Sequence, residues 1–180
     1  MTAEAFWVFG YGSLLWRPGF EYVERRLATL HGFSRSFCMY SYHYRGTKES
    51  PGLVLALDPQ EGHACQGVGF RVAEERADEV LAYLRERELV SYAYLEERHP
   101  VRFHDGGEAE ALCYIINREH EQYAGGLDLA AQAEIIARAE GGMGRNDEYL
   151  WNTVAHLEEL GIRDAELDEL AERVKAATRA

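Results

Sequence analysis

The chain has 180 residues, 47% of them apolar, and a formal net charge of −12. That length suffices for one domain, residues 1–180, with a helical C-terminal segment from about residue 128. The charge argues against a nucleic-acid or anionic-membrane partner, since both need clustered Lys and Arg, and no run reaches the roughly 18 uncharged apolar residues of a membrane span, so a small molecule is the expected partner.

In chain order, the first predicted strand covers residues 6–11 and breaks into the turn FGYGSLLW. Its glycines let backbone approach another group closely. A strand that ends in Gly-Tyr-Gly-Ser and runs into Leu-Leu can aim successive N–H groups, with the Ser13 hydroxyl, at one anionic or carbonyl oxygen. The stretch is not a dinucleotide or P-loop fingerprint, because Leu15 stands where the third glycine belongs and no lysine follows. It is not a nucleophile elbow either, because Tyr11 and Leu15 occupy the required glycine positions around Ser13.

Further strands are predicted at 27–42, 52–57, 64–72, 92–103 and 108–117, rich in aromatic and β-branched residues and separated by Gly, Pro and Asp turns. Their spacing suggests a mostly antiparallel sheet that curls or closes. One helix interrupts them from Glu74, and three more follow from Asp128, Asn146 and Asp164, each starting on a residue able to cap free N–H groups. Leu150, Val154 and Leu157, then Leu167, Leu170 and Val174, give the last two helices one apolar stripe each.

The interrupting helix holds the odd residue. Its apolar positions are Ala77, Val80, Leu81 and Leu84, and the next member of that stripe is Glu88. Two readings stay open: the helix ends near Arg87 and Glu88 turns to solvent or pairs with an arginine, or Glu88 enters a partly apolar pocket. In the second case desolvation raises its pKa and makes it a competent base.

The three cysteines, Cys38, Cys65 and Cys113, form no C-x-x-C pair and lie in strand-like runs, which points to buried free thiols. The seven histidines include no H-x-x-x-H pair, so no metal site is expected. No basic segment precedes the short apolar stretch at the N-terminus, and a cytoplasmic location follows as the expectation.

Five stretches, FGYGSLLWRPGF, SYHYRGTKESPGLVLAL, VLAYLRERELVSYAY, INREHEQYAG and GRNDEYLWNTVAHLEELGI, resemble in order and spacing the ChaC-type γ-glutamylcyclotransferases, across residues 6–162. The resemblance implies an α+β, γ-glutamylcyclotransferase-like fold: a curled mixed β-sheet or small barrel flanked by helices. It implies cleavage of glutathione at its γ-glutamyl bond, releasing 5-oxoproline and Cys-Gly with no cofactor. It assigns the substrate cradle to Tyr11, Gly12, Ser13 and Leu14, and the catalytic glutamate of an Arg-Glu dipeptide to Glu88, followed by Tyr92. Leu89-Val90-Ser91 departs from the glycine-rich spacer common in the family, while the spacing of Glu88 to Tyr92 is kept.

The chemistry is consistent with the residues at hand. The substrate's own α-amine closes a five-membered lactam on its γ-carbonyl, so no protein nucleophile is needed. One carboxylate can relay the protons. Tyr92 and Tyr123 are candidate hydrogen-bonding partners for substrate or Glu88, and Arg45, with Arg17 behind it, a candidate for a substrate carboxylate. Asn146 is expected to cap its helix. The alternatives are a cyclotransferase acting on γ-glutamyl amino acids or γ-glutamylamines and, third, a non-catalytic regulator of cation transport. A monomer and a homodimer are both compatible with the chain.

Overall fold

The computed structural model describes residues 4–89 and 93–179. The chain divides into two compact units, one running up to Arg35 and from Ala56 to His120, the other from Ser36 to Leu55 and from Glu121 onward.

In the first unit, β1 (Phe6–Gly10) leads into a short helix α1 (Ser13–Trp16). Then come β2 (Glu24–Ser41) and β3 (Gly52–Val72), whose far ends belong to the second unit. A 3-10 turn at Glu74–Arg76 opens α2 (Ala77–Glu88), followed by β4 (Tyr94–Phe103) and β5 (Glu108–Ile116). The five strands form a closed barrel in the order β1-β3-β2-β4-β5, with β1 also pairing parallel to β5. Register runs antiparallel from Phe6 opposite Val72 to Gly10 opposite Val68, and from Tyr94 opposite Ile116 to Arg102 opposite Glu108. The sheet that the strand spacing led us to expect does close, and the parallel pairs of β1 and β3 with β5 make it the small mixed barrel that the family resemblance implied.

Two predicted strands, 52–57 and 64–72, prove to be one. The stretch DPQEGH between them carries turn residues, yet β3 passes through it in extended conformation with its side chains largely exposed. Gly62 takes φ 82°, which lets the backbone bend without ending the strand.

Helix α2 buries Ala77, Val80 and Leu84 against Phe6, Val8, Val72, Leu112 and Tyr114 of the barrel and Leu14 of α1. The same 3.6-residue stripe that makes the helix amphipathic thus seals it to the sheet. Full burial of a leucine such as Leu84, with 0% exposure, contributes about 1.5–3 kcal/mol. Because Leu14 sits in this cluster, the turn after β1 is anchored by the packing of α2.

The second unit contains α3 (Leu129–Arg138), a two-residue ribbon of β6 (Glu140–Gly141) and β7 (Gly144–Arg145), α4 (Asn146–Glu159) and α5 (Ala165–Thr178). Asp128 and Asp164 cap as expected: their carboxylates accept from Ala131 N at 2.8 Å and Leu167 N at 3.0 Å. The apolar stripe of α5, Leu167, Leu170 and Val174, is buried, as are Leu150 and Leu157 of α4.

Asn146 corrects the expectation of a cap. It is the first residue of α4, with Arg145 at the cap position and no side-chain capping bond. Its amide instead accepts from Leu53 N at 2.8 Å and donates to Leu53 O at 2.7 Å, fully buried. A side-chain amide sealed from water needs partners for both its oxygen and its nitrogen, and the Leu53 main chain supplies both.

Candidate active site at the glycine turn and the end of helix α2

The turn after β1 is held from several sides. Tyr11 is buried; its hydroxyl donates to the Tyr114 carbonyl at 3.1 Å, and its own carbonyl accepts from Arg35 Nε at 2.7 Å. Arg35 also donates to the Gln66 carbonyl, so the chain at Tyr11 is tied to β3 and β5. Gly12 occupies the cap position of α1 and supplies no side chain to the first N–H groups. Leu15 N donates to Gly12 O at 2.9 Å and Arg17 N to Ser13 O at 2.8 Å, which closes the helical turn. The first N–H groups of any helix have no intrahelical acceptor, which applies to those of Ser13 and Leu14 in α1. Leu14 and Leu15, both buried, hold them in place.

Glu88 is the last residue of α2, one turn beyond Leu84, and its side chain keeps only 14% of its exposure. Its carboxylate lies 3.4 Å from Arg87 Nε. Burial pushes the Glu88 carboxyl above its ordinary pKa, the neighbouring guanidinium pulls it back, and burial dominates. Glu88 thus lies beside an arginine and is desolvated. Burial and then Glu96 push the Tyr114 hydroxyl far above its ordinary pKa, with the charge of Glu88 adding to the effect. That hydroxyl stays neutral and donates to Glu96 Oε1 at 3.0 Å, while Arg85 donates to Glu96 at 3.0 Å.

Arg87 is the residue that sequence reasoning passed over except as half of a dipeptide. Its Nη2 donates to Ser13 Oγ at 3.0 Å; its Nη1 donates to the carbonyls of Arg17 at 2.6 Å and Pro18 at 3.0 Å and to the Tyr83 hydroxyl at 3.1 Å. Gly19, at φ 73°, completes the clasp, because a Cβ there would lie 2.0 Å from the Tyr83 hydroxyl. The signal was faint: Tyr83 and Arg87 stand one helical turn apart, and a glycine follows Trp-Arg-Pro.

Two of the remaining candidates, Arg45 and Tyr123, belong to the second unit. Arg45, in the second unit, is buried, donates to the Arg145 carbonyl at 3.0 Å, faces the Tyr149 ring at 5.7 Å and sits 3.8 Å from Glu148. Tyr123, also in the second unit, forms an isolated bridge to Met39, and its hydroxyl lies 1.9 Å from where a Cβ on Gly125 would stand. Tyr92 lies outside the described residues. The three cysteines are buried thiols outside any disulfide, and burial pushes the Cys113 thiol up to about 12. Among the described residues, no group of three or more His, Cys, Asp or Glu side chains could hold a metal ion, and no helix is long and apolar enough to cross a membrane.

A closed mixed barrel with a glycine-flanked N–H turn and a desolvated glutamate at a helix end defines the class: the family model described as ChaC-like protein matches residues 6–177, and the chain belongs to that family. Among its relatives, the glutathione-specific γ-glutamylcyclotransferase of Escherichia coli is 36% identical over 169 residues, covering 94% of this chain and 72% of the relative. The Schizosaccharomyces pombe protein of the same name is 34% identical and covers 94% of this chain and 92% of its own. A crystal structure of a yeast γ-glutamyl cyclotransferase specific to glutathione superposes with a TM-score of 0.90 at 25% identity, covering 97% of each chain.

Proposed function

We propose that this protein is a glutathione-specific γ-glutamylcyclotransferase in which Glu88 is the acid–base group and the turn Tyr11-Gly12-Ser13-Leu14 binds the γ-glutamyl end of the substrate. The observation that carries this reading is the desolvated Glu88 carboxyl, 14% exposed and joined through Arg87 to the Ser13 end of the turn. The names borne by relatives at 34–36% identity support the choice of glutathione.

The reaction is an internal acyl transfer. Glu88, as carboxylate, takes a proton from the substrate's α-ammonium, and the freed amine attacks the γ-carbonyl to form a C–N bond and an oxyanion. The oxyanion collapses, the bond to the cysteinyl nitrogen breaks, Glu88 returns its proton to that nitrogen, and the second proton of the attacking nitrogen passes to the departing amine, so Cys-Gly leaves as an ammonium and 5-oxoproline as the lactam with a neutral N–H. A carboxyl with a raised pKa suits both halves, because it must accept a proton and then give it up. Such help contributes about 10²–10⁴-fold. The N–H groups of Ser13 and Leu14 stabilise the oxyanion, at about 3–4 kcal/mol for one well-aimed donor. Tyr92 enters as a substrate contact, to be read by its effect on KM.

The test is incubation of the purified protein with millimolar glutathione and quantification of 5-oxoproline and Cys-Gly by mass spectrometry, with Glu88→Gln in parallel. Equal amounts of both products from the wild type, and a loss of about 10²–10⁴-fold in a folded Glu88→Gln protein, are expected. Turnover of γ-glutamyl-alanine without turnover of glutathione would replace the substrate assignment, and turnover of neither would overturn the enzymatic reading.

A further inference from the structure

We infer that Arg87 is a positioning residue that holds the glycine turn and the Glu88 carboxylate in one register and sets the charge beside that carboxylate. The inference rests on Glu88 being the acid–base group. Adjacent residues on a helix diverge by roughly 100°, so their side chains ordinarily do not meet. At the end of α2 they do: Arg87 Nε approaches Glu88 Oε1 to 3.4 Å while Nη2 of the same guanidinium donates to Ser13 Oγ at 3.0 Å.

The plain alternative is a last-turn arginine that complements the helix dipole from solvent. Its surroundings speak against that. The side chain is 19% exposed, and its Nη atoms reach the Arg17 and Pro18 carbonyls, Tyr83 and Ser13, four neutral oxygens of which three belong to the segment just after β1. A planar guanidinium has several donors in fixed relative directions, so one rigid group can fix the turn and the carboxylate together. A lysine ammonium in its place keeps the charge and loses that shape.

Two consequences separate geometry from charge. Loosening the turn from α2 misplaces the donors of Ser13 and Leu14 relative to Glu88, which lowers kcat/KM. Removing the cation beside Glu88 favours its neutral form, which moves the acidic limb of the kcat/KM profile to higher pH, because the carboxylate is the form that accepts the substrate's proton. The Tyr114 hydroxyl of β5, which the charge of Glu88 helps keep from ionising, is unchanged by either substitution, as are Glu96 of β4, to which it donates, and Arg85 of α2, bonded to Glu96.

The experiment measures kcat, KM and the pH profile of kcat/KM with glutathione for wild type, Arg87→Lys, Arg87→Met, Ser13→Ala and the Ser13→Ala/Arg87→Lys pair, with Glu88→Gln as control and thermal melts for each. Arg87→Lys is expected to lose about tenfold or more in kcat/KM with its acidic limb in place; Arg87→Met adds the upward shift of the limb. Ser13→Ala in the Arg87→Lys background is expected to cost less than in the wild type, since the bond it removes is already gone. Unchanged kinetics and an unchanged limb in a folded Arg87→Met protein overturn the inference even if its melting temperature falls. Should Arg87→Met not fold, fully additive losses for Ser13→Ala and Arg87→Lys overturn it. Wild-type activity in Glu88→Gln removes the acid–base assignment of Glu88 and this inference together while the glutathione activity stands, whereas an inactive Glu88→Gln with indifferent Arg87 variants removes this inference alone.

Discussion

The Tyr11 hydroxyl donates to the main-chain carbonyl of Tyr114 at 3.1 Å, a bond between residues 103 apart in the chain. It ties the end of β1, where the glycine turn begins, to β5. Tyr11 thus serves the candidate site by bracing it. Tyr11→Phe leaves the buried Tyr114 carbonyl short of this donor and is expected to cost about 1–2 kcal/mol. A fall in Tm of about 2–8 °C in calorimetry, with a smaller loss of kcat/KM than for Glu88→Gln, is the expected outcome.

Glu88 makes stability depend on pH in a direction opposite to most carboxylates. Its pKa is raised in the folded protein, so between the ordinary carboxylate value and the raised one the native state binds more protons than the unfolded chain. Stability contributed by the site is therefore present at low pH and lost as pH rises through that window. Glu88→Gln removes the charge that has to be buried. The variant is expected to melt at or above the wild-type temperature at pH 7.5 and to lose that advantage at about pH 4, checked by parallel thermal melts.

Gly19→Ala tests the clasp around Arg87 from its other side. The position has φ 73°, which costs an alanine about 1–2 kcal/mol, and the new methyl would fall 2.0 Å from the Tyr83 hydroxyl. Displaced Tyr83 releases one acceptor of Arg87. A Tm several degrees lower and a raised KM for glutathione are expected from steady-state kinetics.

Asn146 and Asp128 should respond very differently to the same substitution. Asn146→Ala removes both bonds to the Leu53 main chain from a fully buried position, at about 1–3 kcal/mol for each group left unsatisfied. Asp128→Ala removes an exposed cap on Ala131 N, at about 1 kcal/mol. Urea denaturation that ranks Asp128→Ala as the costlier change would contradict this account.

The three thiols are expected to resist alkylation in the native protein and react fully once it is unfolded, since all are buried and Cys113 titrates only near about 12. Iodoacetamide labelling followed by mass spectrometry checks this, and native protein so treated should retain its activity.

What the sequence alone determined is what depends on neighbours within a helical turn or a strand repeat. The strands, the caps at Asp128 and Asp164, the buried stripe of α5, the glycine turn after β1 and the anomaly of Glu88 on an apolar face all arise from periodicity and propensity, which short stretches carry by themselves. The joining of DPQEGH into one long strand was not legible, because barrel pairing overrides local turn preference. The role of Asn146 and the partners of Arg87 were not legible either. Asn146 meets Leu53 from 93 residues away, and Arg87 meets Ser13 from 74 and Arg17 from 70. An amide or guanidinium offers its donors equally to its own helix, to water or to a distant carbonyl. Only when the tertiary structure excludes water does the penalty for an unmet buried group decide among them, and that same exclusion raises the pKa of Glu88.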